Sequence, residues 1–181
     1  MTEREILDRL HGLRALVIGD ICLDRWCTYD PALSEPSRET GLNRVAVVST
    51  ELTAGAGGTV ANNLAALGVS LVAVLGAVGD DGHGFELKQA LSRAQIDTSL
   101  LVPTPGATFT YTKLLNKHTG DEDLGRVDFI APPPPFENEA EIVKRIEDHA
   151  AEFDVLLVSD QMETETGGVV TSAVRDCLAG I

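Results

Sequence analysis

Asp20 and Asp24, in the run Gly19-Asp20-Ile21-Cys22-Leu23-Asp24, are two carboxylates four residues apart. Asp20 follows the aliphatic run Ala15 to Ile18, which reads as a buried strand. Its carboxylate is therefore expected at the carboxyl end of a parallel strand, the edge where open α/β sheets bind ligands, and Asp24 could face the same crevice. Ionised carboxylates only accept hydrogen bonds, which suits a ligand offering several hydroxyl donors, such as a sugar. A turn Asp and a helix-capping Asp are the ordinary alternatives.

A second constellation runs from Gly55-Ala56-Gly57-Gly58-Thr59 through Asn62-Asn63 to Gly68. Glycines admit a ligand close to the backbone, a helix start offers free N–H groups, and Asn reads hydroxyls as both donor and acceptor. No Gly-Lys-Ser/Thr follows, so this is not a Walker loop, and Val60 stands where a dinucleotide fingerprint needs glycine. The alternative is a glycine turn with Thr59 as helix N-cap. The third constellation, Gly76 to Gly84, is a second loop at a strand end, with Asp80 or Asp81 either facing a ligand or capping the next helix. No metal site is expected. His11, His83, His118 and His149 form no ligand spacing, and Cys22, Cys27 and Cys177 match no zinc pattern.

The elements that must position these residues alternate. Helical spacing marks Glu3 to Leu13, Val60 to Leu67, the segment with Leu87, Leu91 and Ala94, Ile142 to Ala150, and Val170 to Leu178. Strands are expected at Ala15–Ile18, Val45–Ser49, Leu71–Val78, Thr108–Leu115 and Asp154–Ser159, the last ending at Asp160. Alternation predicts a Rossmann-like, mostly parallel sheet with helices on both faces. The strands near 45–50 and 108–115 lack crossover helices and are expected to form a small separate sheet. Four prolines between Ala131 and Phe136 read as a surface linker. Gly180 is a helix stop where an alternating fold would begin another strand, so the domain is expected to be C-terminally incomplete.

Composition bounds the rest. With 44% hydrophobic and 23% charged residues among 181, the chain is expected to be globular. A net charge of −14 with no basic stripe speaks against nucleic acid and anionic membrane as partners. The start carries no signal-peptide core, and the longest nearly apolar stretch, Val69 to Val78, is too short to span a bilayer, so a cytoplasmic chain with reduced thiols is expected.

Taken together, Val17-Ile18-Gly19-Asp20 with Leu23-Asp24, Glu35-Pro36-Ser37-Arg38-Glu39, the glycine motif through Asn63-Leu64-Ala65-Ala66-Leu67-Gly68, Gly76 to Gly84, Tyr111-Thr112-Lys113, Arg126-Val127-Asp128 and Val158-Ser159-Asp160 resemble the N-terminal half of PfkB-type (ribokinase-like) carbohydrate kinases, most closely the heptose-kinase-like members. The resemblance runs from about Leu16 to Arg175. It implies residues 1–181 as a partial kinase domain with a small β lid, its strands at about 26–53 and 107–117, and transfer of the ATP γ-phosphate to a sugar hydroxyl with Mg2+. Asp20, Asp24, Gly57, Gly58 and Asn63 match sugar-binding positions, and Lys113 and Asp160 complete the expected substrate set. The family's usual Gly-Gly pair near position 55 reads Gly55-Ala56, and a commonly found Asn falls on Thr59. The family's catalytic base belongs to a Gly-Ala-Gly-Asp segment, and no such string occurs in the 181 residues, so no catalytic residue is assigned. The expected partners are a small-molecule sugar and a second copy docked through the lid. A non-catalytic sugar-binding module is the alternative from another class, and a nucleotide-cofactor oxidoreductase, with Asp80 on the ribose, is a weaker one.

Overall fold

The computed structural model describes residues 2–130, 135–161 and 168–181. The expected proline linker therefore lies, from Ala131 to Pro134, outside the described residues. Strand β1 (Arg14–Gly19) is the centre of a parallel sheet, flanked by β4 (Leu71–Leu75) and β9 (Val155–Ser159). The side chains of β1 alternate between two cores. Ala15 and Val17 pack with α2 (Gly57–Ala66) and α3 (Gly82–Arg93), alongside Ala61, Leu87 and Leu91. Leu16 and Ile18 pack with α4 (Phe136–His149) and α5 (Ser172–Ala179), alongside Ile142, Ile146 and Val174. Leu16, Val17 and Ile18 are fully buried, each contributing about 1.5–3 kcal/mol by leaving water. A continuous aliphatic run is what a strand covered on both faces requires.

The chain does not turn away after β1. Asp20 links it directly to β2 (Ile21–Tyr29), which lies inside a second sheet of order β3-β2-β7-β8, with β3 (Val47–Ala56), β7 (Thr110–Asn116) and β8 (Val127–Phe129). In this sheet β2 runs antiparallel to β3 and parallel to β7, and β7 runs antiparallel to β8. The small sheet thus begins at Ile21 rather than near residue 26. Asp24 lies inside a strand, not in a turn or at a helix cap. The expected single strand Leu71–Val78 breaks at Gly76. A Cβ there would sit 2.4 Å from Gly19 O, and β5 (Ala77–Gly79) leaves to pair with β6 (Val102–Thr104).

Helix α1 (Glu3–Leu10) starts with a reciprocal capping box between Thr2 and Glu5. Helix α2 starts earlier than expected, at Gly57, and Thr59 is not its N-cap. Its hydroxyl donates instead to Ala54 O at 3.3 Å. The N-cap position is Ala56, at φ 53° and ψ −124°. The outer edge of β4 is covered, because Asp97 exchanges backbone bonds with Val72 and Val74. The outer edge of β9 has no strand partner among the described residues, and Val155 and Val158 are exposed there. No helix among the described residues is long and apolar enough to cross a membrane.

Candidate functional site

The expected site residues separate into two groups. Around the carboxyl end of β1, Asp20 is buried, only 4% exposed. Its carboxylate accepts the backbone N–H of Gln161 and of Val169, each at 2.8 Å. Its own N–H donates to Ser159 O at 2.9 Å, and its carbonyl accepts from Gly57 N at 2.8 Å. Asp20 thus fastens the segment after β9 and the start of α2 onto the strand end. Gly57 is small for the same reason, since a Cβ would stand 2.7 Å from Ile21 Cδ1 and 3.0 Å from Asp20 O. A Cβ on Gly58 would stand 2.6 Å from the Ala54 methyl. These two glycines bring α2 close against β2 and β3. Asp160 points outward and pairs with Arg175.

The second group lies on one face of the small sheet. Along β2, successive side chains alternate, so Cys22, Asp24 and Trp26 share a face. The other face, with Leu23, packs on α3, where Arg25 meets Glu86 at 3.3 Å and His83 at 3.4 Å. Asp24 is only 17% exposed, and its Oδ1 lies 3.4 Å from Lys113 Nζ, itself 18% exposed. The ammonium also sits 3.7 Å above the Trp26 ring, a cation–π contact. Trp26 Nε1 donates to Thr53 Oγ1 at 3.2 Å. Tyr111 stands directly opposite Asp24 in the register, with Phe109 edge-on at 4.7 Å and the Arg126 guanidinium 4.3 Å above its ring. Cys22 lies under Asp24, and burial, then the charge of Asp24, pushes its thiol up to about 12. Gly55 makes the packing possible, because a Cβ there would lie 2.6 Å from Asp24 Oδ2 and 2.7 Å from Cys22 Sγ.

This face offers a carboxylate acceptor, a cationic donor, a hydroxyl and two aromatic rings within one patch. Such a set can hold a polyhydroxylated ring, with hydroxyls donating to Asp24 and accepting from Lys113, and apolar ring faces resting on the aromatics. Asp24 and Lys113 are brought together. Gly57 and Asp20 meet each other instead, at the strand end. Asn63 is exposed on α2, and it is Asn62 whose amide turns toward β3, donating to Ala54 O at 3.5 Å. The sequence reading does not single out Trp26 or Thr53, and Arg126 enters it only within the resemblance string Arg126-Val127-Asp128. The alternation of Cys22, Asp24 and Trp26 is the signal that would have found the first of them.

The loop from Gly79 to Gly84 has a different role. Asp81 caps α3, accepting from Gly84 N at 2.7 Å, and also takes Thr108 N at 3.0 Å and the Thr108 hydroxyl at 2.8 Å. Burial alone would raise its carboxyl, but these three donors outweigh burial and hold it below its ordinary value.

Residues 14–176 match the family model described as pfkB family carbohydrate kinase. The chain is 32% identical over 173 residues to the bifunctional protein HldE of Trichlorobacter lovleyi, covering 93% of this chain and 33% of that protein. It is 36% identical over 163 residues to the bifunctional protein HldE of Geobacter sulfurreducens, covering 88% of this chain and 31% of that protein. The chain spans about a third of the length of these curated relatives. Among solved structures, phosphofructokinase-2 from Escherichia coli in complex with fructose-6-phosphate superposes with a TM-score of 0.63 at 14% identity, over 93% of this chain and 51% of that one. Ribokinase from Thermotoga maritima superposes with a TM-score of 0.54 at 16% identity, over 80% and 44%. The fold is ribokinase-like.

Proposed function

The chain belongs to the pfkB family of carbohydrate kinases, and from that premise we propose that it supplies the sugar-binding half of an ATP-dependent sugar kinase, with the small sheet as its lid. The observation that carries the reading is the Asp24–Lys113 pair over Trp26 on the face of that sheet turned away from α3. Asp24 accepts from a sugar hydroxyl, Lys113 donates to a neighbouring one, and Trp26 and Tyr111 line the ring. Asp20, Gly57 and Gly58 set the distance between β2 and α2 and so support this face from below.

ATP and Mg2+ are the cosubstrate and ion that the family implies, and ATP would supply the γ-phosphoryl group. The described residues do not fit them. A Cβ at Gly55, Gly57 or Gly58 would meet Asp24 and Cys22, Ile21, or Ala54 respectively, so these glycines serve close packing and form no open cradle. Among the described residues no group of three or more His, Cys, Asp or Glu side chains is placed to hold a metal ion. No Gly-Ala-Gly-Asp string occurs in the sequence, and a base with an anion hole is what transfer to a hydroxyl requires. We therefore assign no base and no anion hole to the described residues. A cytoplasmic setting, suited to free Cys22, Cys27 and Cys177, and a homodimer through the exposed Val47 and Val48 of β3 belong to the same reading.

The same Asp24–Lys113 face also supports a second reading, sugar binding without turnover. One experiment serves both. Saturation-transfer NMR on this chain with D-ribose, D-fructose, D-mannose and D-fructose 6-phosphate is expected to show binding of at least one, lost in Asp24→Asn. A coupled ADP-release assay on the same 181 residues is expected to show no sugar-dependent turnover. Wild-type chain that binds none of the sugars would overturn the site, and robust turnover would show that these residues include a base.

A further inference from the structure

Register places Thr53, Asp24, Tyr111 and Asp128 directly opposite one another across β3, β2, β7 and β8. Residues paired in this way share one face of the sheet. Two strand spacings separate the backbones of Asp24 and Asp128, roughly 10 Å, with the Tyr111 ring between them. That is a span one monosaccharide bridges with a hydroxyl at each end. One oxygen of Asp128 is already engaged, with Arg126 Nε at 3.0 Å and Nη2 at 2.8 Å from Oδ2. The other, Oδ1, is shielded from solvent and accepts no hydrogen bond from the described residues. A buried acceptor left without a donor costs about 1–3 kcal/mol, so such an oxygen calls for an explanation. Thr112 Oγ1 is equally unpaired among the described residues, but Thr112 stands opposite Arg25 in register on the α3 side and cannot reach across the sheet.

We propose that Asp128 is a second carboxylate ligand of the sugar, receiving a hydroxyl at Oδ1 on the side of Tyr111 opposite Asp24; the proposal rests on the sugar-binding reading above. Arg126 fixes the carboxylate through Oδ2 and lies over Tyr111. When a sugar enters, the guanidinium slides off the ring, which opens Oδ1 to the hydroxyl and frees the aromatic face for the sugar. The acceptors at both ends of Tyr111 then select sugars by the distance between two hydroxyls. This makes Asp128 a specificity-determining residue rather than a catalytic one.

The test compares wild-type chain with Asp24→Asn and Asp128→Asn, using the same four sugars and thermal melting. Asp128→Asn keeps the shape and the Arg126 contact but offers an amide donor where an acceptor is needed. It is expected to raise the Kd of the bound sugar at least tenfold with an unchanged melting temperature. A monodeoxy analogue of that sugar lacking the hydroxyl concerned is expected to bind wild type and Asp128→Asn equally. If Asp24→Asn weakens binding and Asp128→Asn does not, Asp128 is no ligand and the sugar-binding reading stands. If neither weakens it, or no sugar binds the wild type, both fall. Should Asp128→Asn fail to melt cooperatively, Asp128→Ser is judged by the same Kd criterion.

Discussion

Lys113 and Asp24 hold each other diagonally across β7 and β2, Nζ to Oδ1 at 3.4 Å, with both side chains more than four-fifths withdrawn from solvent. A pair this far from water is worth more when intact than its desolvation suggests, because removing one partner strands the other. Lys113→Met is therefore expected to lower stability by about 1–2 kcal/mol, less than a fully buried pair would lose. It should also weaken sugar binding about tenfold, the equivalent of 1.4 kcal/mol. Trp26 is the chain's single tryptophan, so loss of the ammonium above it should change the emission spectrum, and fluorescence reports both effects.

Asp20 is expected to matter for folding more than for affinity. Asp20→Ala leaves the N–H groups of Gln161 and Val169 without their acceptor, at about 1–3 kcal/mol for each donor left buried. Urea denaturation should show this loss, with Asp20→Asn intermediate because one amide oxygen can serve only part of the pair. The sugar Kd of the folded Asp20→Asn chain should stay within twofold of wild type. A large rise in Kd at unchanged stability would place Asp20 on the ligand instead.

Ala56 offers a test in the other direction. Its φ of 53° is left-handed, which costs a residue with a Cβ about 1–3 kcal/mol. Ala56→Gly removes that strain and adds roughly 0.5–1 kcal/mol of unfolded-state entropy. The net expectation is a rise in melting temperature. A fall would mean that the Ala56 methyl makes packing contacts worth more than the strain.

Cys22 gives the chain a pH signature. Its thiol is moved from an ordinary 9.0 to about 12 by burial and then by Asp24. Below pH 9 both folded and unfolded chains keep the proton, and the stabilisation is complete. As pH rises from 9 toward 12, the unfolded chain releases a proton that the folded chain retains. Stability should then fall by up to about 1.4 kcal/mol per pH unit. Cys22→Ser should flatten that alkaline limb in a stability–pH series. At pH 8 Cys22, only 1% exposed, should resist a thiol reagent that labels the half-buried Cys177.

How much of this was legible depends on which signals were local. The aliphatic run Ala15–Ile18 and the helical spacing of Ile142, Val143 and Ile146 speak for themselves, and both elements formed where they were expected. Ile21 to Tyr29 did not, because Asp24 and Arg25 sit where an apolar strand would carry aliphatics. A sheet with one face on α3 and the other polar produces that mixture. The resemblance points to Asn63, whereas the amide that turns toward β3 is that of Asn62; two adjacent helical residues lie about 100° apart, and nothing local says which of them faces a neighbouring strand. The register that aligns Asp24 with Tyr111 and Asp128 joins segments separated by long stretches of chain, and nothing local encodes it.

The passage of one strand from the middle of the parallel sheet to the middle of the small sheet, through Asp20 alone, makes β1 and β2 a torsion bar. Any rotation of the small sheet has to twist a rod clamped along its length by backbone bonds to β4 and β9 below and to β3 and β7 above. This corner resists swinging like a door on a free hinge. What remains is elastic flexing of a cantilever, stiffest at Asp20 and most compliant toward Tyr29. Adaptation to different sugars should therefore be felt at Lys113 and Trp26 before it reaches Cys22.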